Sequence, residues 1–353
     1  MAADRGDAAL AVLVLPFASG VLAWPQGAEV PFLRARDGWP LHAAARPGLV
    51  CEQGFKPEAD ALQRSGWTVR DCEAAAGATG ATGHPLLLLL PPRQRDEARA
   101  LLARAVAMCA PGGVVVACMP NAEGAKSAES DLRALAGACG HLSKQHCRVF
   151  WATIDPATTN AALLAEWQAL DAPRPIHDGR FLSRPGVFAW DRVDAASALL
   201  AAHLPGDLRG HAADLGCGYG YLAAELLQRC PGIAALDLYE AEARALALAR
   251  CNLEACAARV SLGFHWHDVT AGLPRRYDVI VTNPPFHALG RAERPDIGRG
   301  FITAAADALA PGGRLWLVAN RHLPYEQVLD ARFGTVRTVA QADGFKVIEA
   351  VRG

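Results

Sequence analysis

Apolar runs with the length of buried strands alternate with alanine-rich stretches along most of the chain. The pattern is clearest in two segments. Residues 84–121 read HPLLLLLPPRQRDEARALLARAVAMCAPGGVVVACMPN, and residues 277–320 read YDVIVTNPPFHALGRAERPDIGRGFITAAADALAPGGRLWLVAN. Each holds an apolar strand, a Pro-Pro pair, a helical pattern, Ala-Pro-Gly-Gly and a second apolar strand that closes at an asparagine, Asn121 or Asn320. Ala-Pro-Gly-Gly predicts a helix stop and a turn into a strand. The repeated order predicts a duplicated α/β domain with doubly wound, mainly parallel sheets.

The chain has 353 residues, enough for two domains with a sizeable core in each. Its formal net charge of −1 excludes a polycation that coats nucleic acid, although a local basic face is compatible with it. Ten cysteines occur without a CxxC pair or zinc spacing, so they read as reduced, buried thiols of a cytoplasmic protein. The segment ALAVLVLPFASGVLAW (9–24) lacks a net basic leader and is interrupted by Pro16, so it reads as a core strand and loop rather than a signal peptide. No apolar run approaches the length of a membrane span. A proline-rich stretch, 170–194, marks the join between the halves, and Asp194 is placed to cap the helix that follows.

The halves differ where chemistry would sit. In the second half, AADLGCGYGYLAAELLQR (212–229) is a strand, a Gly-x-Gly-x-Gly turn and a helix. Glycines let a backbone turn tightly and approach a ligand closely. Gly216, Gly218 and Gly220 follow the carboxylate Asp214, a spacing unlike that of the dinucleotide fingerprint. About 20 residues on, Asp237 is expected to end the second strand and receive ribose hydroxyls. Asp268 follows a third strand and is expected at the adenine edge. His265 and His267 alternate around Trp266 without a third ligand, so no metal is expected. The first half has no glycine turn; GLVCEQGFKPEADAL (48–62) occupies that place, and Leu-Pro-Pro-Arg stands where the second half has Asn-Pro-Pro-Phe.

Two prolines after Asn283 forbid both helix and central strand, so Asn283 to Phe286 should form a stiff loop at the end of a buried strand. Such a loop fixes an amide and an aromatic ring. A stiff loop that fixes Asn283, Pro284 and Phe286 in this way tends to bind a ligand, whose identity has to come from the rest of the sequence.

The second half thus resembles class I S-adenosylmethionine-dependent methyltransferases, with DLGCGYG as the cofactor loop and NPPF as the amino-methylating motif. PGVFAWDRVDAASALL (185–200), VANRHLPY (318–325) and GFKV (344–347) are similar to segments of the bacterial ribosomal RNA guanine 2-amino methyltransferases of the RsmC and RlmG type. The likeness is strong over 180–353 and weak over the first half. It implies two tandem Rossmann-like methyltransferase domains, the first degenerate. Residues 1–172 would be a scaffold or RNA platform, with Arg93, Arg95, Arg99, Arg104 and Lys126 as its cations; 173–187 would be a linker and 188–353 the catalytic domain. It further implies S-adenosylmethionine as cofactor, held by Phe188, Asp214, Gly216, Gly218, Gly220, Asp237, Asp268 and Asn283. Asn283, Pro284 and Phe286 would be the catalytic set, and the partner would be ribosomal RNA or the small ribosomal subunit. Adenine or protein glutamine as the methylated group, and a cofactor-binding assembly factor without turnover, remain the alternatives.

Overall fold

A computed structural model of the chain describes residues 7–70, 83–285 and 295–353. They fall into two compact units, one of residues 1–172 with 184–186 and one of 173–183 with 187–353. Of the stretch expected as a linker, 173–183 therefore packs with the second unit and 184–186 with the first.

The first unit carries strands β1 (Val30–Leu33), β2 (Leu49–Glu52), β3 (Thr68–Arg70), β4 (His84–Leu89), β5 (Cys109–Pro120), β6 (Cys139–Lys144) and β7 (Cys147–Thr153). They form one sheet in the order β3-β2-β1-β4-β5-β7-β6. The second unit opens with a hairpin, β8 (Arg174–Ile176) and β9 (Phe181–Ser183). Its sheet holds β10 (Arg209–Leu215), β11 (Gly232–Glu240), β12 (Ser261–Trp266), β13 (Tyr277–Thr282), β14 (Leu309–Asn320), β15 (Thr335–Ala342) and β16 (Phe345–Val351). The order β12-β11-β10-β13-β14-β16-β15 repeats that of the first unit strand for strand. In both, five parallel strands are followed by an antiparallel pair whose last strand enters the sheet first.

Each sheet is covered on both faces, which is why its central strands are apolar at nearly every position. In β13, Val279 and Val281 face a core shared with Leu222 and Leu226, while Ile280 faces one shared with Phe301 and Ile302. The period of two in a strand sorts them in this way. The helix Tyr221–Arg229 lies in the first layer and the helix Pro295–Ala308 in the second.

Three local expectations are corrected. Residues 9–24 hold no strand: Ala8–Leu13 and Leu15–Ala18 are helical, Asp7 caps the first by accepting from Ala9 N and Leu10 N, and Pro16 sits in the opening turn of the second. An apolar run with alanine and leucine is ambiguous between strand and helix, and the cap decides. Ala-Pro-Gly-Gly is not a turn ahead of the strand but a bulge inside it. Tyr277 pairs with Leu309 and Val279 with Arg314, so residues 310–313 loop out, with Gly312 at φ 75°. The two asparagines are not equivalent. Asn320 ends β14, whereas Asn121 lies one residue past the end of β5.

Candidate active site

The carboxyl ends of β10 and β13 lie side by side, with Leu215 paired to Thr282. The glycine turn leaves the first strand and the Asn-Pro-Pro turn leaves the second, so hydrogen-bonded neighbours bring residues 67 apart in sequence to one place. Thr282 Oγ1 donates to the Leu215 carbonyl at 2.7 Å and ties the two exits together. A pocket of about 410 Å³, open to solvent, lies against this seam. Phe188, Asp194, Ser197, Gly216, Gly218 and Asn283 are among the residues that line it.

Asn283 is held by both amide hydrogens. Its Nδ2 donates to Asp194 Oδ2 at 3.0 Å and to Ser197 Oγ at 2.9 Å. A carboxylate only accepts, so the amide nitrogen must face Asp194, and the orientation of the side chain is fixed by chemistry. Among the described residues the acceptor Oδ1 has no donor and keeps its lone pairs for another. Asp194 is itself locked, because the same Oδ2 caps the helix Ala195–His203 by accepting from Ser197 N at 2.8 Å. Pro284 is buried and Pro285 is exposed. Phe286 lies outside the described residues.

Gly216 and Gly218 have φ values of 71° and 55°, a region that penalises any side chain. A Cβ on Gly218 would meet nothing within 4 Å, so its backbone borders open space. Gly220 has another task. At φ 92° it starts the helix Tyr221–Arg229, and a Cβ there would press on Ala249 at 3.3 Å and Leu253 at 3.4 Å. Asp214 is fully buried, and among the described residues neither carboxyl oxygen completes a hydrogen bond, the Ala223 amide being the one backbone donor that bears on it. Burial pushes its pKa up to about 8, which the nearby Ala223 amide offsets only in part. The Cys217 thiol beside it is also pushed well up by burial. Phe188 is 61% exposed on the pocket wall. The β8–β9 hairpin braces the glycine turn from behind. Asn252 exchanges hydrogen bonds with both backbone groups of Leu182 and donates to the Tyr219 carbonyl at 2.8 Å.

Asp237 does not end its strand. β11 runs three residues further, to Glu240, and Asp237 sits in its interior opposite Ala213 and Gly263. Its carboxylate accepts from Tyr277 Oη at 2.9 Å and meets His265 at 3.0 Å, His211 at 3.1 Å and Arg275 at 3.2 Å. Burial raises this carboxyl, but the hydrogen bonds from His265 and Tyr277 outweigh it and the group titrates below its ordinary value. The Asp237 side chain is spoken for; Asp214, Asp237, Glu240 and Asp268 all stand outside the residues that line the pocket. Glu240 holds the strand end instead. It accepts from Gly218 N at 2.8 Å and from Glu242 N at 2.9 Å, so it touches the glycine turn directly. The signal was available: Glu242 caps the helix Ala243–Asn252, and counting back from that cap places the strand end beyond Asp237. Asp268 caps a short helical turn, Val269–Ala271, by accepting from Thr270 N at 2.9 Å. His267 bonds the Gly272 carbonyl and His265 stacks on Tyr239, so both histidines are engaged within the fold.

Residues 178–349 match the family model described as a methyltransferase small domain. A ribosomal RNA small subunit methyltransferase C from Pseudomonas paraeruginosa is 32% identical over 329 residues, covering 92% of this chain and 91% of that protein. One from Psychromonas ingrahamii is 30% identical over 275 residues, 77% of each chain. Among solved structures, the Thermus thermophilus 16S rRNA N2 G1207 methyltransferase (RsmC), in complex with AdoMet and guanosine, superimposes with a TM-score of 0.80. That match has 26% identity and covers 100% of this chain and 93% of the other.

Proposed function

The chain belongs to the ribosomal RNA small subunit methyltransferase C family, and from that premise we propose that it methylates the 2-amino nitrogen of a guanine in small-subunit ribosomal RNA. The observation that carries this reading is the amide of Asn283, locked in one orientation beside the glycine turn. S-adenosylmethionine would supply the methyl group from its positively charged sulfur, leaving as the neutral thioether S-adenosylhomocysteine, while the methylated amino nitrogen loses one proton.

The residues present fit that cofactor. Open space at Gly218 admits a ligand against the backbone. Asp214 places a buried carboxyl one residue before the end of β10, where a cationic ligand nearby would favour its ionised form. Glu240, at the strand end and on the Gly218 amide, is assigned the ribose hydroxyls in place of Asp237. Phe188 covers the pocket from the side, and Asp268 is assigned the adenine edge.

The guanine amino group is a weak nucleophile because its lone pair is delocalised into the ring. Asn283 Oδ1 accepts one amino hydrogen and the Pro284 carbonyl accepts the other. Both bonds favour a pyramidal nitrogen and aim its lone pair at the methyl carbon. The gain comes from positioning and preorganised dipoles rather than from a strong base. Phe286, assigned from the sequence, gives the extracted base a stacking face worth about 1–3 kcal/mol. The first unit serves as scaffold. Arg95 and Arg99 share Asp131, and Arg104 pairs with Glu52, so three of the five cations expected on an RNA platform are tied within their own unit.

The test is nucleoside analysis by mass spectrometry of small-subunit ribosomal RNA incubated with the protein and S-adenosylmethionine. N2-methylguanosine is the expected product. Methylated adenine, or no methylated nucleoside in either naked RNA or assembled subunits, would overturn the reading.

A further inference from the structure

Two motifs of the sequence, VANRHLPY (318–325) and GFKV (344–347), have no part in the chemistry above. The fold joins them. Lys346 in β16 pairs with Ala319 in β14 and is only 4% exposed. Its ammonium donates to the Leu323 carbonyl at 3.0 Å and to Glu326 at the start of the helix Glu326–Arg332. Desolvation works against the Glu326 carboxylate, yet Lys346 holds it below its ordinary range. The loop 321–325 is thus pinned from beneath by a buried cation. It is fixed again at its start, where Arg321 N donates to the Gly344 carbonyl at 2.8 Å.

Its place on the sheet gives the clamp a use. β10, β13 and β14 are parallel neighbours, so the glycine turn, the Asn283 loop and the 321–325 loop follow one another along one edge. The cofactor turn lies on one side of Asn283, and the 321–325 loop lies on the other. Arg321 is exposed there and makes no ion pair among the described residues. The first unit sharpens the point. Arg148 stands at the equivalent register, opposite Met119, and pairs with Glu129 of the following helix, so a clamp of this kind belongs to the fold. The residue after β5, however, is the uncharged Asn121, where the second unit has Arg321. Only the copy with the glycine turn and Asn283 places a cation on the clamped loop.

We propose that Lys346 is a positioning residue for the methyl acceptor, holding the 321–325 loop so that Arg321 meets a phosphate of the RNA beside the target guanine. This rests on the RNA methylation reading above. The charge is exposed and the clamp is buried, so the clamp acts on RNA capture through Arg321 and leaves the cofactor turn alone.

A double-mutant cycle tests it, with Lys346→Met and Arg321→Ala assayed on small-subunit ribosomal RNA, naked or assembled, whichever the parent methylates better. Each single variant should raise the KM for RNA about tenfold, keep kcat within about threefold and leave cofactor affinity within about twofold. The double variant should match the weaker single, because both remove one contact. Arg321→Ala should also flatten the salt dependence of RNA binding by about one phosphate contact. Lys346→Arg should restore most of the loss, as Arg148 fills the same register in the first unit. If Lys346→Met fails to fold, Glu326→Gln, on a side chain 61% exposed, takes its place in the cycle. Effects that multiply, or a parental KM in either single variant, overturn the positioning role. A parent chain that transfers no methyl to guanine overturns the underlying reading instead.

Discussion

At the residue scale, Asn283 and Asp237 make opposite claims on their surroundings. Asn283 has its donors occupied and, among the described residues, its acceptor unspent, so Asn283→Ala should lower the single-turnover methyl-transfer rate by about 10²–10³, the range for loss of one preorganised polar contact. Cofactor affinity by calorimetry should hardly move; transfer at the parental rate would show that the loop is a structural turn only. Asp237 has its acceptors spent on Tyr277 and three basic groups. Asp237→Asn should cost about 1–3 kcal/mol of stability, as expected when buried partners lose a hydrogen bond, and should leave cofactor affinity within about twofold. Glu240→Gln should do the reverse, and equal cofactor affinity in the parent and this variant would refute the ribose assignment. Asparagine before two prolines was legible because few other residues bring an amide to a rigid turn. The strand-end placement of Asp237 failed because an acid inside an apolar strand reads as the end of that strand unless its partners, far off in sequence, are known.

Asp214 adds a pH signature. Its folded pKa, about 8 against an ordinary 3.8, means that the folded chain binds this proton more tightly than the unfolded one. Its contribution to stability is therefore fullest below the ordinary value and is lost as the pH rises toward 8. In urea titrations of the cofactor-free protein, Asp214→Asn should flatten the decline across that window. A variant whose midpoints fall as steeply as the parent's would contradict the burial argument.

At the element scale, the helix Pro295–Ala308 meets the 321–325 loop through a glycine. A Cβ on Gly298 would lie 1.8 Å from Tyr325 Oη, and Tyr325 is 1% exposed. Gly298→Ala must displace the ring or the helix, at a cost of about 1–3 kcal/mol for overpacking a closed site. Thermal unfolding would read it, and an unchanged midpoint would mean that the contact yields freely. The sequence showed this helix by its alanine periodicity but gave no hint of the close approach, because a lone glycine in a helix carries no record of what it faces. The same blindness made residues 9–24 a strand. Apolar content fixes burial, and only the cap at Asp7 fixes the helix.

At the scale of the whole molecule, the repeated strand order is what the two Pro-Pro and Ala-Pro-Gly-Gly segments announced, and repetition is a signal that survives local errors. The copies diverge at the cofactor turn. Arg34, at φ 53°, follows β1 where Gly216 follows β10, and its guanidinium pairs with Glu97 within the first unit. Calorimetry of the full chain should therefore count one S-adenosylmethionine per chain, and a stoichiometry of two would mean that the first copy still binds.

The placement of β7 and β16 has a consequence for synthesis on the ribosome. In each sheet the strand translated last lies between two translated before it, so neither sheet can be completed by simple addition at an edge. The first sheet has all its strands once residue 153 has emerged, before β10 has been made, and it can close while translation continues. The second must keep a gap beside β14 until residues 345–351 arrive. A released chain that lacks those residues would expose the unpaired edge of an apolar strand, the form most open to aggregation. Truncation just before residue 345 should thus leave a chain that aggregates in a light-scattering assay, whereas truncation after residue 172 leaves the first sheet with all its strands.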